Sequence, residues 1–294
     1  MEVAEERSEE EAVSAAETKE EEEGEGERWA KRSWECLKAV RERGPLIQCI
    51  TNFVSMDIMA NTLLASGASP AMVHGLHEIP DFTPHAHGLC INVGTLSPDW
   101  IPSMKAAASL AVRSAKPWVL DPVAVSASEF RMKTCLELVE LSPTVIRGNA
   151  SEIIALSSAS LGPTKGADSS HGTLDAIQAA RSLAQSHGAI VAVSGAIDII
   201  TDGQQVVGVH NGVAMMQKVT ATGCAVTALI AAFVAANPSD AFGATAAALS
   251  IFGVAGELGF GMAKGPASLR MYLIDSLHGL DEAALLSRVR ITHM

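Results

Sequence analysis

No two cysteines in this sequence form a CxxC pair, and the five present (Cys36, Cys49, Cys90, Cys135, Cys224) are odd in number. They read as free thiols in a reducing compartment rather than as a disulfide framework. A basic block is missing as well. Residues 2–27 hold 13 Glu against Arg7 and Lys19, so they carry −11 of the formal −12 and leave −1 to the rest. A nearly neutral body has little with which to grip a phosphate backbone, which argues against nucleic acid as a partner. The acidic start is the opposite of an Arg-rich, acid-poor transit peptide, and no secretory signal is evident; the expectation is a cytoplasmic protein.

Several catalytic signatures are also absent. Gly162-Pro163-Thr164-Lys165-Gly166 lacks the spacing of a Walker A loop, and neither HExxH nor GxSxG occurs. His74, His77, His85 and His87 with Asp81 cluster locally, but without thiolate partners they read as loop histidines, not a zinc site. The charge-free run 219–236, followed by a weakly polar run to Gly256, has the length of a membrane hairpin. It is built from Ala, Thr and Gly and lacks flanking Lys/Arg clusters, so it predicts two buried, closely packed helices and no membrane partner.

What is present alternates. Residues 1–28 are expected to be an acidic disordered tail, too charged and too poor in apolar residues to recover the entropy of ordering. Residues 29–294 are expected to form one domain, beginning with an amphipathic helix marked by Trp29, Trp34, Leu37 and Val40. Strands are predicted near 46–50, 71–73, 89–93, 118–120, 144–146 and 189–193. Helices over 54–65, 98–115, 130–140, from 150 onward and over 173–187 separate them. A hairpin turns about Asp202-Gly203, and the final third reads as helical. Apolar strands alternating with helices imply an α/β fold, with a central, mainly parallel sheet covered on both faces. Ligands in such sheets sit beyond the carboxyl ends of the strands. Thr51-Asn52, Asp121, Arg147 to Asn149 and Ser194-Gly195 are therefore the polar groups of interest.

Each admits two readings. The small residues Thr220 to Cys224 open a long apolar helix, either as an anion site made of free N–H groups or as a helix capped by Thr222. Cys224 in that first turn, where the local field lowers a thiol pKa, is a nucleophile, a weak base or a small packing residue. Asp121 either points at Mg²⁺ or water or turns the chain. Glu152 either serves the site or closes a capping box with Asn149. Arg147 either grips phosphate with its planar fork or makes a surface ion pair.

Read together and in order, Gln48 to Val54, Gly67 to Met72, Asn92 to Leu96, Asp121-Pro122-Val123, Arg147 to Glu152, Thr222-Gly223-Cys224 and Gly265-Pro266 resemble the hydroxyethylthiazole kinase family. The form is plant-type, with an acidic N-terminal extension, and the resemblance spans about residues 30–280. It implies a ribokinase-like fold and ATP-dependent phosphorylation of 4-methyl-5-(2-hydroxyethyl)thiazole, with Mg²⁺ as cofactor and ATP as cosubstrate. It also implies a homotrimer with active sites at subunit interfaces. By position it places Met72, Asn52 and Ala221 at the thiazole, Arg147 and Ser194 at the nucleotide, Asp121 and Glu152 near the metal, and Gly223 and Cys224 at the anion hole. Ala221 stands where bacterial members commonly have Gly, and Ser194 where many have Thr. The alternatives are another ribokinase-like enzyme (a vitamin-alcohol kinase or the NAD(P)H-hydrate dehydratase), a non-catalytic thiazole or nucleotide sensor, and a thiol-nucleophile enzyme using Cys224 with His210.

Overall fold

A computed structural model describes residues 24–161 and 173–294. Helix α1 covers 24–43, followed by β1 (Leu46–Ile50), α2 (Met56–Ser66), β2 (Ser69–Ala71), the single turn α3 (Ile79–Phe82), β3 (Gly88–Asn92) and α4 (Ile101–Arg113). Then come β4 (Trp118–Asp121), α5 (Glu129–Val139), β5 (Val145–Asn149), α6 (Ala150–Leu161), α7 (Thr173–His187) and β6 (Ile190–Ser194). The hairpin β7 (Asp198–Thr201) and β8 (Val206–Val209) leads to α8 (Thr222–Ala236), α9 (Ala241–Met262), α10 (Pro266–Gly279), α11 (Glu282–Arg288) and β9 (Ile291–His293).

The strands form one sheet in the order β2-β1-β3-β4-β5-β6-β7-β8-β9. Pairing is parallel from β2 through β6 and antiparallel from β6 to β9. The period of two along each strand sorts side chains into two cores. Cys49, Cys90, Val119, Val145 and Ala192 face the core built with α1, α2 and α8 to α11. Ile50, Ile91, Leu120, Ile146 and Val191 face the core built with α3 to α7.

Helices α8 and α9 are the buried pair that the charge-free run predicts. In α8 every residue from Ala225 to Val234 is buried. The stretch Pro238–Met262 is long and apolar enough to cross a membrane, yet 83% of its apolar window lies inside the protein. Small residues let these helices approach their neighbours: a Cβ on Gly259 would meet the backbone of α10 at Tyr272 and Leu273. Helix α2 closes at Gly67, whose φ of 94° suits a residue without a Cβ.

Three elements differ from the sequence reading. Helix α1 takes in residues 24–28, which composition assigns to the tail, and a Glu27–Lys31 ion pair one turn apart lies along this start. The remainder of that tail, and most of the Ser/Gly/Lys loop before α7, lie outside the described residues. Strand β9 stands where the sequence pattern predicts helix. Its three residues carry too short an alternation to register, and pairing with β8 decides their conformation. Arg147, expected just after a strand, lies within β5.

Candidate active site at the carboxyl edge of the sheet

The parallel strands end side by side, and a polar residue stands at or just after the end of each of β1, β3, β4 and β6. Asn52 Nδ2 donates to Asn92 Oδ1 at 2.7 Å, and Asn92 Nδ2 donates to Asp121 Oδ2 at 2.8 Å. Arg147 Nη1 lies 4.0 Å from the same carboxylate oxygen, and Arg147 Nη2 donates to Ser194 Oγ. At the other end of the chain of contacts, Asn52 Nδ2 reaches Cys224 Sγ at 3.5 Å. Residues from β1, β3, β4, β5, β6 and the start of α8 are thus joined in one connected network. Among the residues singled out from sequence, it unites Asn52, Asp121, Arg147, Ser194 and Cys224, with Gly223 packed against it.

The start of α8 is open. Its N-cap is Ala221, in the left-handed region with φ 62° and ψ 16°, and no side chain caps the helix. The Thr222 hydroxyl, the expected cap, instead donates backwards to the carbonyls of Met216 and Val219. Intrahelical bonding begins with Ala225 N–H to Ala221 O at 2.9 Å, which leaves the N–H groups of Thr222, Gly223 and Cys224 ahead of it. Arg147 sits over this turn: a Cβ on Gly223 would lie 2.8 Å from Arg147 Nη1. A guanidinium and the positive end of a helix therefore converge on one spot, an arrangement that suits an anion.

The start of α6, directly after β5, is closed. Asn149 Oδ1 accepts from Glu152 N–H at 3.0 Å, and Glu152 Oε2 accepts from Asn149 N–H at 2.8 Å. That is the reciprocal capping box. The other oxygen, Oε1, accepts from Ala124 N–H at 2.8 Å. Each oxygen of Glu152 holds one backbone group and keeps further lone-pair capacity.

Asp121 is the deeply placed acid, 1% exposed. Burial pushes its pKa up to about 6, against the opposing pull of Arg147 and the hydrogen bonds from Thr227 and Asn92. Its Oδ1 is buried and has no hydrogen-bond partner. Asp198, at the start of β7, accepts from Gly195 N–H at 2.8 Å and is likewise raised to about 6 by burial.

For Cys224 the structure corrects the expected direction. Its thiol pKa is raised, first by burial and then by the charge of Asp121, despite the amides of Asn52 and Asn92 and the charge of Arg147. The field of the helix start is outweighed, so Cys224 stays a protonated thiol at neutral pH. Among the described residues no histidine is hydrogen-bonded to it, and His210 Nε2 is bonded to Thr292 Oγ1 at 2.9 Å. A cysteine–histidine nucleophile has no base bonded to it among the described residues. Two of the clustered histidines are held by backbone groups. His74 accepts from Thr51 N–H and His87 from Leu46 N–H, and no group of three potential metal ligands occurs among the described residues.

Beside the network lies a cavity of about 540 Å³, lined by the polar or charged Arg147, Ser194 and Asp198 and by the apolar Met216, Leu249 and Phe252. A lining of both polar and apolar groups is what a nucleotide requires. Ala221 precedes Thr222, which lines the cavity, and Met72 follows β2 at the same sheet edge; both are partly buried against the α8 side of the core. Sequence reasoning missed Thr227 and Asp198 and gave Asn92 no role. The available signals were a hydroxyl inside an apolar helix and an Asn in register with Asp121 across β3 and β4.

A model of the hydroxyethylthiazole kinase family matches residues 37–283. The chain is 67% identical over 266 residues to a hydroxyethylthiazole kinase of Arabidopsis thaliana, covering 90% of this chain and 96% of the relative. Among solved structures it is similar to a hydroxyethylthiazole kinase protein of Pyrococcus horikoshii, with a TM-score of 0.84 at 38% identity, covering 90% and 99% of the two chains. An ADP complex of Bacillus subtilis pyridoxal kinase aligns with a TM-score of 0.57 at 18% identity, covering 77% of this chain and 98% of the other. That last likeness speaks to the fold alone, which is ribokinase-like.

Proposed function

The chain belongs to the hydroxyethylthiazole kinase family, and from that premise we propose how the residues at its sheet edge divide the work. The enzyme phosphorylates the hydroxyethyl group of 4-methyl-5-(2-hydroxyethyl)thiazole, with ATP as cosubstrate. The observation that carries the site assignment is the uncapped start of α8 facing the Asp121–Arg147 pair.

In this reading the N–H groups of Gly223 and Cys224 stabilise the charge that develops on the transferring phosphoryl group, and Arg147 with Ser194 holds the polyphosphate in the 540 Å³ cavity. Asn52, Met72 and Ala221 line the acceptor side. Cys224 sits beside the acceptor as a neutral thiol, which a loose transition state tolerates because little proton transfer is needed early. Mg²⁺ fits the two acids: Asp121 offers a buried oxygen with no partner, and Glu152 retains lone pairs on both oxygens. Bound there with most of its waters, the ion would neutralise polyphosphate charge.

The domain division into an acidic tail and one kinase domain, the cytoplasmic location and the homotrimer belong to the same proposal. Five free cysteines support the reducing compartment. Phe53 and Val54, directly after Asn52, are 70% and 59% exposed, which supports sites completed by a neighbouring subunit.

The test is ADP release that depends on the thiazole alcohol, measured for the wild type, Arg147→Ala and Cys224→Ala. Arg147→Ala should raise KM for ATP more than KM for the alcohol. Cys224→Ala should stay measurably active. An effect of Arg147→Ala confined to the alcohol, or no turnover in folded Cys224→Ala, would overturn the assignment.

A further inference from the structure

Helix α8 is apolar throughout its buried length, and yet Thr227 stands inside it, 0% exposed. A hydroxyl there costs free energy unless it is bonded, and Val would fill the same space without that cost. The Thr227 hydroxyl lies 2.8 Å from Asp121 Oδ2 and 3.0 Å from Gly223 O. Its single proton serves one acceptor at a time, and the charge-assisted bond to an ionised carboxylate is the stronger. Asn92 approaches the same oxygen from β3 at 2.8 Å. The Asn92 amide cannot turn over, because its Oδ1 accepts from Asn52 Nδ2 at 2.7 Å and from Gly94 N–H at 2.9 Å. Two buried donors from two different elements thus converge on Oδ2, and Oδ1 is the oxygen left with no partner.

We infer that Thr227 and Asn92 are positioning residues, which lock the Asp121 carboxylate by holding Oδ2 beside Arg147 and so leave Oδ1 as the oxygen available to the metal. The terminal torsion of an aspartate is broad and nearly two-fold, so an unheld carboxylate would exchange its oxygens and blur its direction. Thr227 adds a second constraint. It lies four residues after Gly223, on the turn that follows the open N–H groups. The bond to Asp121 therefore ties the carboxylate and the anion-binding turn into one rigid unit, the fixed geometry that electrostatic stabilisation demands. Asn92 ties the same carboxylate to Asn52 on the acceptor side.

The inference rests on the reading of Asp121 as the metal-facing acid, and the experiment separates the two. Mn²⁺ is titrated into the full chain with saturating ADP, bound ion being read by electron paramagnetic resonance, and kcat and both KM values are measured alongside. Thr227→Val should weaken Mn²⁺ binding about tenfold and lower kcat about tenfold, as losses of outer partners do. KM for the thiazole alcohol should stay within about twofold, and Thr227→Ser should restore both quantities. Asn92→Ser, read the same way, should also weaken Mn²⁺ and supplies the test if the Val variant does not fold. Folded variants that bind Mn²⁺ like the wild type, while Asp121→Asn loses it, would overturn the positioning role. If Asp121→Asn itself binds Mn²⁺ normally, the metal-facing reading falls, and this inference with it.

Discussion

Helices α6 and α8 begin at the same edge of the sheet, on its opposite faces, and they treat their first turns in opposite ways. At α6, Asn149 and Glu152 satisfy each other's backbone groups, and Glu152 also takes in Ala124 N–H. At α8 the cap is an alanine with φ 62°, no side chain caps the turn, and the Thr222 hydroxyl turns away. Capping by side chains is worth about 1 kcal/mol, so leaving α8 open costs stability. The cost is located where a guanidinium, a buried acid and a cavity meet. Local structure is completed where it only has to hold, and left incomplete where a ligand is to complete it.

The comparison breaks most severely at Asp121. Asp121→Asn keeps the shape but removes the charge, and kcat should fall by about three orders of magnitude. Stability should move the other way. The folded pKa of about 6 lies above the ordinary value of 3.8, so the group stabilises the fold fully only below the unfolded pKa. That contribution is lost as pH rises through about 6, and above it the buried charge costs roughly 3 kcal/mol. The Asn variant should therefore unfold at a higher temperature than the wild type at pH 8, with the gain shrinking towards pH 4. A variant no more stable at pH 8 would show that the buried charge costs less than a pKa of about 6 implies.

Gly223→Ala should come next. The new Cβ would stand 2.8 Å from Arg147 Nη1, and the guanidinium must move off the open turn. We expect kcat/KM for ATP to fall about a hundredfold, with far-UV circular dichroism unchanged because Ala favours a helix. Retained activity would mean that Arg147 does not need its place over α8. Glu152→Gln sharpens the other half of the comparison. Gln keeps one acceptor oxygen where the carboxylate has two, so Asn149 N–H or Ala124 N–H loses its partner. The expected loss is about 1 kcal/mol of stability, seen in urea unfolding. No loss of stability would place Glu152 wholly in the chemistry.

Most of the frame was legible because the sheet is parallel and buried. The strands 46–50 and 118–121 and the helix 173–187 carry unbroken apolar or amphipathic patterns, and the structure has them within a residue. The polar residues at strand ends were legible for the same reason, since nothing in a core explains them. What could not be read was set by contacts across the chain. Strand β9 exists through β8, and the role of Thr227 exists through Asp121, 106 residues away. The direction of the Cys224 shift was misread because sequence shows the helix start but not the burial or the neighbouring acid.

The smallest expected effect lies at the cap of α8 itself. Ala221 holds φ 62° and ψ 16°, a region that costs an L-residue about 1–2 kcal/mol. Gly adopts it freely but gives up roughly 0.5–1 kcal/mol through the extra freedom of the unfolded chain. The methyl group is also partly buried against the α8 side of the core, so its removal forfeits some packing. The balance for Ala221→Gly is a gain of a few tenths of a kcal/mol up to about 1 kcal/mol, or about 1–4 °C in the unfolding midpoint. Activity should stay within about threefold, because the N–H groups keep their direction when the same backbone conformation is held without strain. A loss of more than about 1 kcal/mol would show that methyl packing outweighs backbone strain. The open turn would then be held in place by its side chain, not merely tolerated by it.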